Sequence, residues 1–533
     1  MGAASGAALL AGRWSSPLSA SQRPSIGAAG NGPWVDATIP QLQAMMASAN
    51  LTSRELTQGY LSRIGALNPL LNAVIETNPQ AVSIATQRDN ERRAGRLRGP
   101  LHGIPVLLKD NIATADTMQS TAGSLALVNS RVPADAALVK QLRDAGAVIL
   151  GKANLSEWAN FRGFSYNGWS ARGGFTRCPY VLDNDPLGSS SGSAVAVAAN
   201  LCAAAVGTET DGSIMAPSYA NSTFGLKPTV GRVPGTGIIP LARSQDTAGP
   251  MTRSATDSAI MLGALSSPSV DFTPSLRRGA LQGVRLGVDE KYFTDPFWGQ
   301  PDALPVMLTV LDTLEDLGAT LVDVTTDPTW MLTSNEFDVL LYEFKVQVAD
   351  YLATLEHCEA RTLADLITFD STHCWQEMKY FGQELFEWAE ATSGDLTDPY
   401  YVAARQFCIQ NSRTDGIDAA LNSTVPPIDA LVAPTLTWLY SYAAVAGYPS
   451  ISMPAGYMDD GSPLGFLFVG GAWQEAKLLG YSYDLEQELN ARVPPTFLGA
   501  VPSEPPGAGI CTGKPKPHGG TGKVEWRGGR RML

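Results

Sequence analysis

The sequence predicts an α/β protein, a single large α/β/α domain with a mixed central β-sheet covered by helices. Three observations carry that expectation. Short apolar runs bounded by Gly or Pro alternate with longer stretches of helical periodicity, the pattern of strands buried beneath helices. Apolar residues make up 44% of the 533-residue chain. Charged residues are only 17%, against roughly 25% in an ordinary soluble domain, so a large packed core can form. The 52 glycines and 36 prolines supply tight turns and close backbone approaches between the elements.

Taken in order, residues 1–33 are rich in Ala, Ser and Gly without helical periodicity, and read as a flexible leader. From Ile39 to Ile64 apolar residues recur at three- and four-residue intervals, which predicts helix. Thr52 and Glu55 have the spacing of a capping box and start a helix there. The runs 103–108 (GIPVLL) and 146–152 (GAVILGK) read as buried strands, with an amphipathic helix over 135–145 between them. Residues 189–206 pass from a Ser/Gly loop into an Ala-rich buried helix. Aromatic-rich helices fill 330–410, and strands return at 429–433, 450–454 and 464–469. The main domain therefore spans 34–499. Residues 500–533 form a basic, Pro/Gly-rich tail that cannot bury a core and reads as disordered.

Charge excludes some functions. Lys and Arg total 38 against 51 Asp and Glu, a net charge of −13. Such a chain is repelled by nucleic acid and by anionic membranes. No apolar run reaches membrane-spanning length. The segment MGAASGAALLAG has no basic residue before Arg13 and falls short of a secretory signal. A cytoplasmic location is the expectation, with secretion left open. The six cysteines (Cys178, Cys202, Cys358, Cys374, Cys408 and Cys511) lack CxxC spacing and predict neither a disulfide framework nor a zinc site. Only four histidines are present, His102, His357, His373 and His518. His102, just before a strand, reads as structural.

That scarcity shapes the search for a site. The segment PLGSSSGS (186–193) fits G-x-S-x-G around Ser190. A nucleophile elbow, however, needs an apolar strand before it and a histidine after it. Here VLDNDPL precedes it, polar and Pro-bearing, and few histidines follow. A phosphate-binding loop fails as well, because no GK[ST] follows. Three segments taken together offer a different chemistry. LHGIPVLLKDN (101–111) places Lys109 at the end of an apolar strand, GSSSGS (188–193) supplies hydroxyls, and GTETDGSI (207–214) places Ser213 after a turn able to present several N–H groups. A serine hydroxyl is a poor nucleophile until its proton is taken. Lysine can take it when neutral, and burial beside Val106, Leu107 and Leu108 would depress its pKa.

With these motifs the chain resembles the amidase signature family, over roughly residues 35–498. GLKPTVGRV (225–233), SQDTAGPM (244–251), VAPT (432–435) and GYPSISMPAGY (447–457) extend the likeness. The resemblance implies a Ser–cis-Ser–Lys triad with Lys109 as base, Ser189 as bridging serine after a cis Gly188–Ser189 bond, and Ser213 as nucleophile. It implies an oxyanion hole from the N–H groups of Thr210, Asp211, Gly212 and Ser213, an acyl-enzyme intermediate, and no metal or cofactor. Ser190 would hold Lys109. Asp110 and Asp246 would hydrogen-bond structurally rather than move protons. Some of the 330–410 aromatics would line an acyl pocket, the rest being core.

Departures from the broad family narrow the substrate. The usual G-G-S-I-R is Asp211-Gly-Ser-Ile-Met215 here, and the lost Arg argues against the amidotransferase subunit that acts on charged tRNA. NLSEWANFRG (154–163), GWSARGG (168–174) and TETDGSI (208–214) are similar to bacterial peptide amidases and their fungal and plant relatives. The implied substrate is a peptide or other small-molecule primary amide, with fatty, aryl or aliphatic amides as the alternative. An amidotransferase A-type subunit or a non-catalytic amidase-like receptor is the second alternative. The enzyme would act as a monomer or homodimer. Asp211 beside the nucleophile is expected to favour a neutral carboxamide over a carboxylate. Cys178 stands where the family often has Asn, which leaves the hydrogen bonding of that loop open.

Overall fold

The computed structural model describes residues 32–511. Nearly all of the expected leader, and residues 512–533 of the expected tail, lie outside the described residues. Eleven strands form one mixed sheet. In chain order they are β1 (Val74–Thr77), β2 (Pro105–Lys109), β3 (Val148–Ala153), β4 (Ala204–Glu209), β5 (Phe224–Lys227), β6 (Thr247–Thr252), β7 (Arg285–Val288), β8 (Thr320–Asp323), β9 (Ala430–Pro434), β10 (Ser450–Tyr457) and β11 (Pro463–Val469). Across the sheet the order is β1-β3-β2-β4-β6-β5-β10-β11-β9-β7-β8.

The parallel pairs are β3 with β2, β2 with β4, β9 with β7, and β7 with β8. The others are antiparallel. Every residue of β2, β3, β4, β6 and β11 is buried, as expected of the apolar runs read as β2, β3 and β11. Residues 204–206, expected in the Ala-rich helix, instead open β4, because that helix ends at Ala198.

The helices follow local chemistry. Thr38 and Thr52 each close a capping box, opening Ile39–Ala47 and Ser53–Leu71. The Ala-rich helix Ser191–Ala198 is buried at every position. Its small side chains let it pack directly on β2, β4 and β6. In the aromatic-rich stretch, Trp330, Phe344, Tyr351 and Phe386 are core, whereas Trp375, Trp388 and Tyr400 reach solvent.

One expectation is corrected. Cys374 and Cys511 form a disulfide across 137 residues of sequence. A pairing so distant leaves no local spacing to read. The described end of the expected tail lies along the protein surface. Leu498 bridges to Val181, Glu504 accepts hydrogen bonds from Lys379 (3.1 Å) and Tyr380 (2.5 Å), and Ala508 N donates to Lys379 O (2.9 Å). The other four cysteines are free and buried. Cys178 donates to Ala220 O (3.4 Å), which settles its hydrogen bonding. His102 is buried with Nε2 on Arg88 O (2.9 Å), as a structural residue.

Candidate active site

Strands β2 and β4 are neighbours and run parallel, Leu108 opposite Val206, so their carboxyl ends emerge together. That edge of an α/β sheet is where ligands bind as a rule. Lys109 is the last residue of β2, and the turn Thr210–Ser213 follows β4 directly. Ser189 and Ser190 precede the buried helix that packs on both strands. Three loops distant in sequence thus meet at one point.

There the side chains form a continuous chain of hydrogen bonds. Lys109 Nζ donates to Ser189 Oγ (2.8 Å), and Ser189 Oγ lies 3.0 Å from Ser213 Oγ. Lys109 Nζ also reaches Ser190 Oγ (2.9 Å) and the Thr208 carbonyl (3.1 Å). Ser190 Oγ in turn donates to Thr208 O (3.0 Å). The loops are pinned through their backbones. Ser190 N donates to Ser213 O (3.1 Å), and Ser156 N to Ser189 O (3.0 Å). The Gly188–Ser189 peptide is cis. A side chain at Gly188 would place its Cβ 2.3 Å from Ser156 Oγ, so only glycine fits that approach.

Lys109 is fully buried, and among the described residues no carboxylate lies within ion-pair distance of it. Burial drives its pKa down to about 7, with Glu209 and Asp246 opposing from farther off. Glu209 occupies itself with the backbone beyond the turn, accepting from Ile214 N (2.7 Å) and Met215 N (3.0 Å). Its own pKa is raised by burial.

The turn carrying the expected oxyanion donors is held from several sides. Gly212 takes φ +72°, and a Cβ there would sit 2.7 Å from the Tyr440 ring. Thr210 Oγ1 donates to Asp246 Oδ1 (2.6 Å), and Asp246 Oδ2 accepts from Leu241 N (2.9 Å) and Ala242 N (3.1 Å). Among the described residues, the N–H groups of Asp211 and Ser213 have no protein acceptor.

Asp110 points away from the lysine. Its carboxylate accepts from Thr121 Oγ1 (2.5 Å), Gly123 N (3.1 Å) and Arg172 Nη1 (3.2 Å), a structural tie as expected. The Asp211 side chain turns toward Ser441, whose Oγ donates to Oδ1 (2.9 Å), and toward Glu336.

The structure adds contributors that sequence reasoning missed. The Thr208 carbonyl grips Lys109, but a main-chain acceptor has no residue signature. Glu336 and Gln245 stand behind the turn. Gln245 lies within SQDTAGPM, whereas nothing local marks Glu336, which begins a helix more than a hundred residues downstream.

The chain is similar to known proteins along most of its length. The family model described as Amidase matches residues 55–479. An Arabidopsis thaliana protein named a probable amidase is 40% identical, over 87% of this chain and 92% of its own. The structure of native peptide amidase from Stenotrophomonas maltophilia superposes with a TM-score of 0.82 at 48% identity, over 87% of this chain and 99% of that one. A peptide amidase in complex with the competitive inhibitor chymostatin gives a TM-score of 0.83 at 48% identity, over 87% and 100% of the two chains. The match spans the strands, turns and helices that bring Lys109, Ser189 and Ser213 together, and the chain belongs to the amidase family, hydrolases of amide C–N bonds.

Proposed function

We propose that Ser213 is the nucleophile, Ser189 the proton relay and Lys109 the base in hydrolysis of peptide carboxamides and other small primary amides. The observation that carries this reading is the unbroken hydrogen-bond chain from a buried amine through one hydroxyl to another. Neutral Lys109 takes the Ser189 proton as Ser189 takes that of Ser213, and the freed Ser213 oxygen attacks the amide carbon. Negative charge on the carbonyl oxygen meets the N–H groups of Asp211 and Ser213, with Thr210 and Gly212 completing the turn. Collapse breaks the C–N bond, and the relayed proton leaves on ammonia or amine. Water then attacks the acyl-enzyme by the same relay, yielding the acid and restoring Ser213.

Likeness to peptide amidases over nearly their whole length supports a peptide amide as substrate. The Asp211 side chain is engaged with Ser441 and Glu336, so any effect on carboxylate substrates acts through that engaged group. The test is ammonia release from a C-terminally amidated dipeptide beside a fatty amide and an aryl amide. Faster turnover of the dipeptide amide supports the reading. Preference for the fatty or aryl amide transfers the site to the alternative class, and inactivity on all three favours an amidotransferase subunit.

Among the described residues no helix is long and apolar enough to cross a membrane. The sequence alone suggested cytoplasm, but the Cys374–Cys511 disulfide supports an oxidising compartment instead.

A further inference from the structure

Transition-state charge is stabilised only by donors already aimed at it, so whatever fixes the turn Thr210–Ser213 controls the barrier. Beside the Tyr440 ring, polar groups hold this turn. Ser441 Oγ donates to Asp211 Oδ1 (2.9 Å). The Glu336 carboxyl lies near enough to the buried Asp211 carboxyl for the two to interact. Two ionised carboxylates can only accept, so a hydrogen bond between them needs one shared proton. Gln245 completes the brace. Its Nε2 donates to Glu336 Oε1 (3.0 Å) and to the Thr210 carbonyl (3.3 Å). One glutamate thereby touches the turn twice, through the Asp211 side chain and through Gln245 to the Thr210 backbone.

We propose that Glu336 is a positioning residue that holds the oxyanion turn from behind, gripping Asp211 by a shared proton and Thr210 through Gln245. The inference rests on the proposed role of that turn. It also assigns work to a buried acid that the triad leaves unused. The environment fits a shared proton. Burial and mutual proximity raise Asp211 well above the usual carboxylate range, and burial raises Glu336. Glu209, Lys227 and Tyr440 are the other titratable groups facing Asp211, and Cys408 faces Glu336. Lys227 supplies a cation, yet Glu209 lies beside it, so the surroundings do not favour a doubly ionised pair.

The test compares Glu336→Ala and Glu336→Gln with the wild-type full chain on an amidated dipeptide, as kcat and KM across pH 6–10. Glu336→Ala removes both grips, and kcat should fall roughly 10- to 100-fold while KM stays within about twofold, as expected when transition-state contacts alone are misplaced. Glu336→Gln can donate to Asp211 and accept from Gln245 with no shared proton. It should recover kcat to within about threefold at pH 8, and any alkaline decline in the wild type should move upward or vanish.

Unchanged kcat in Glu336→Ala overturns the proposal, as do equal losses in both variants or a KM effect alone. If Glu336→Ala does not fold, the Glu336→Gln variant decides: a large loss of kcat at pH 8 counts against the proposal. A wild type inactive on every amide defeats the functional reading first, whereas an active wild type with indifferent variants defeats only this one.

Discussion

Lys109 Nζ lies 2.8 Å from Ser189 Oγ with both residues wholly buried and, among the described residues, no carboxylate at ion-pair distance of the amine. A charged ammonium gains hydrogen bonds there but loses its hydration, and desolvation is the larger effect, leaving a pKa of about 7. Only the neutral amine can accept a proton. Activity should therefore rise with pH on an acid limb centred near 7, read as kcat/KM from pH 5 to 9. A limb centred near the histidine-free carboxylate range, below pH 5, would contradict this.

The same shift predicts a stability profile. The folded value of about 7 lies below the ordinary 10.5, so between these limits the unfolded chain binds a proton that the folded one does not. Stability from Lys109 is then lowest at and below pH 7 and recovers as pH rises toward 10.5. Lys109→Met keeps the volume and removes the titration. Its stability relative to wild type should be most favourable near pH 7, on the order of a few kcal/mol, and shrink toward pH 10. Lys152 and Lys227, each lowered to about 8 by burial, remain in both proteins, so the difference isolates residue 109. Denaturant midpoints at several pH values measure it.

The three serines should not be equivalent. Ser213→Ala removes the attacking oxygen and Ser189→Ala breaks the relay, so each should cost about 10⁴-fold or more in kcat, and the double variant little beyond that. Ser190→Ala should cost far less, because the Thr208 carbonyl still holds Lys109 at 3.1 Å. Intact-mass detection of an acyl adduct with a slow ester substrate separates the roles: wild type accumulates it and Ser213→Ala does not.

Much of this was legible in the sequence because it is encoded locally. The apolar run ending in Lys109, the capping box at Thr52 and Glu55, and the Ala-rich helix after Ser190 each state their structure within a dozen residues. The meeting of Lys109, Ser189 and Ser213 was legible only through family likeness, since no spacing rule predicts that β2 and β4 run side by side. Glu336 and the partnership of Cys374 with Cys511 were not legible. Each depends on where a distant helix or segment returns to the fold, which sheet order decides and sequence pattern does not.

Gly212 offers a test of how rigid the oxyanion turn must be. At φ +72° any other residue is strained, and a methyl group would meet Tyr440 at 2.7 Å. Gly212→Ala should lower stability by about 1–3 kcal/mol and kcat by roughly 10²-fold, because the turn must shift to accept it. Calorimetry with steady-state kinetics reads both. A variant that loses stability but keeps kcat would mean that the turn tolerates displacement.

The disulfide between Cys374 and Cys511 joins the 500–511 segment to the short helix Cys374–Glu377. Closing a loop of this length restricts the unfolded chain, so its removal should cost about 2–4 kcal/mol. Cys374→Ser/Cys511→Ser should melt several degrees lower than wild type, and dithiothreitol should bring wild type down to the same point without moving the variant. Turnover at 25 °C should be nearly unchanged in both, because neither sulfur touches Lys109, Ser189 or Ser213 and Glu504 keeps its bonds to Lys379 and Tyr380. Wild-type melting that ignores the reductant while the thiols are shown to be free would remove the bond from the account of stability. A large loss of kcat on reduction would instead show that the 374–380 region, through Tyr380 against Trp169 and Phe175, reaches the loop that carries Ser189.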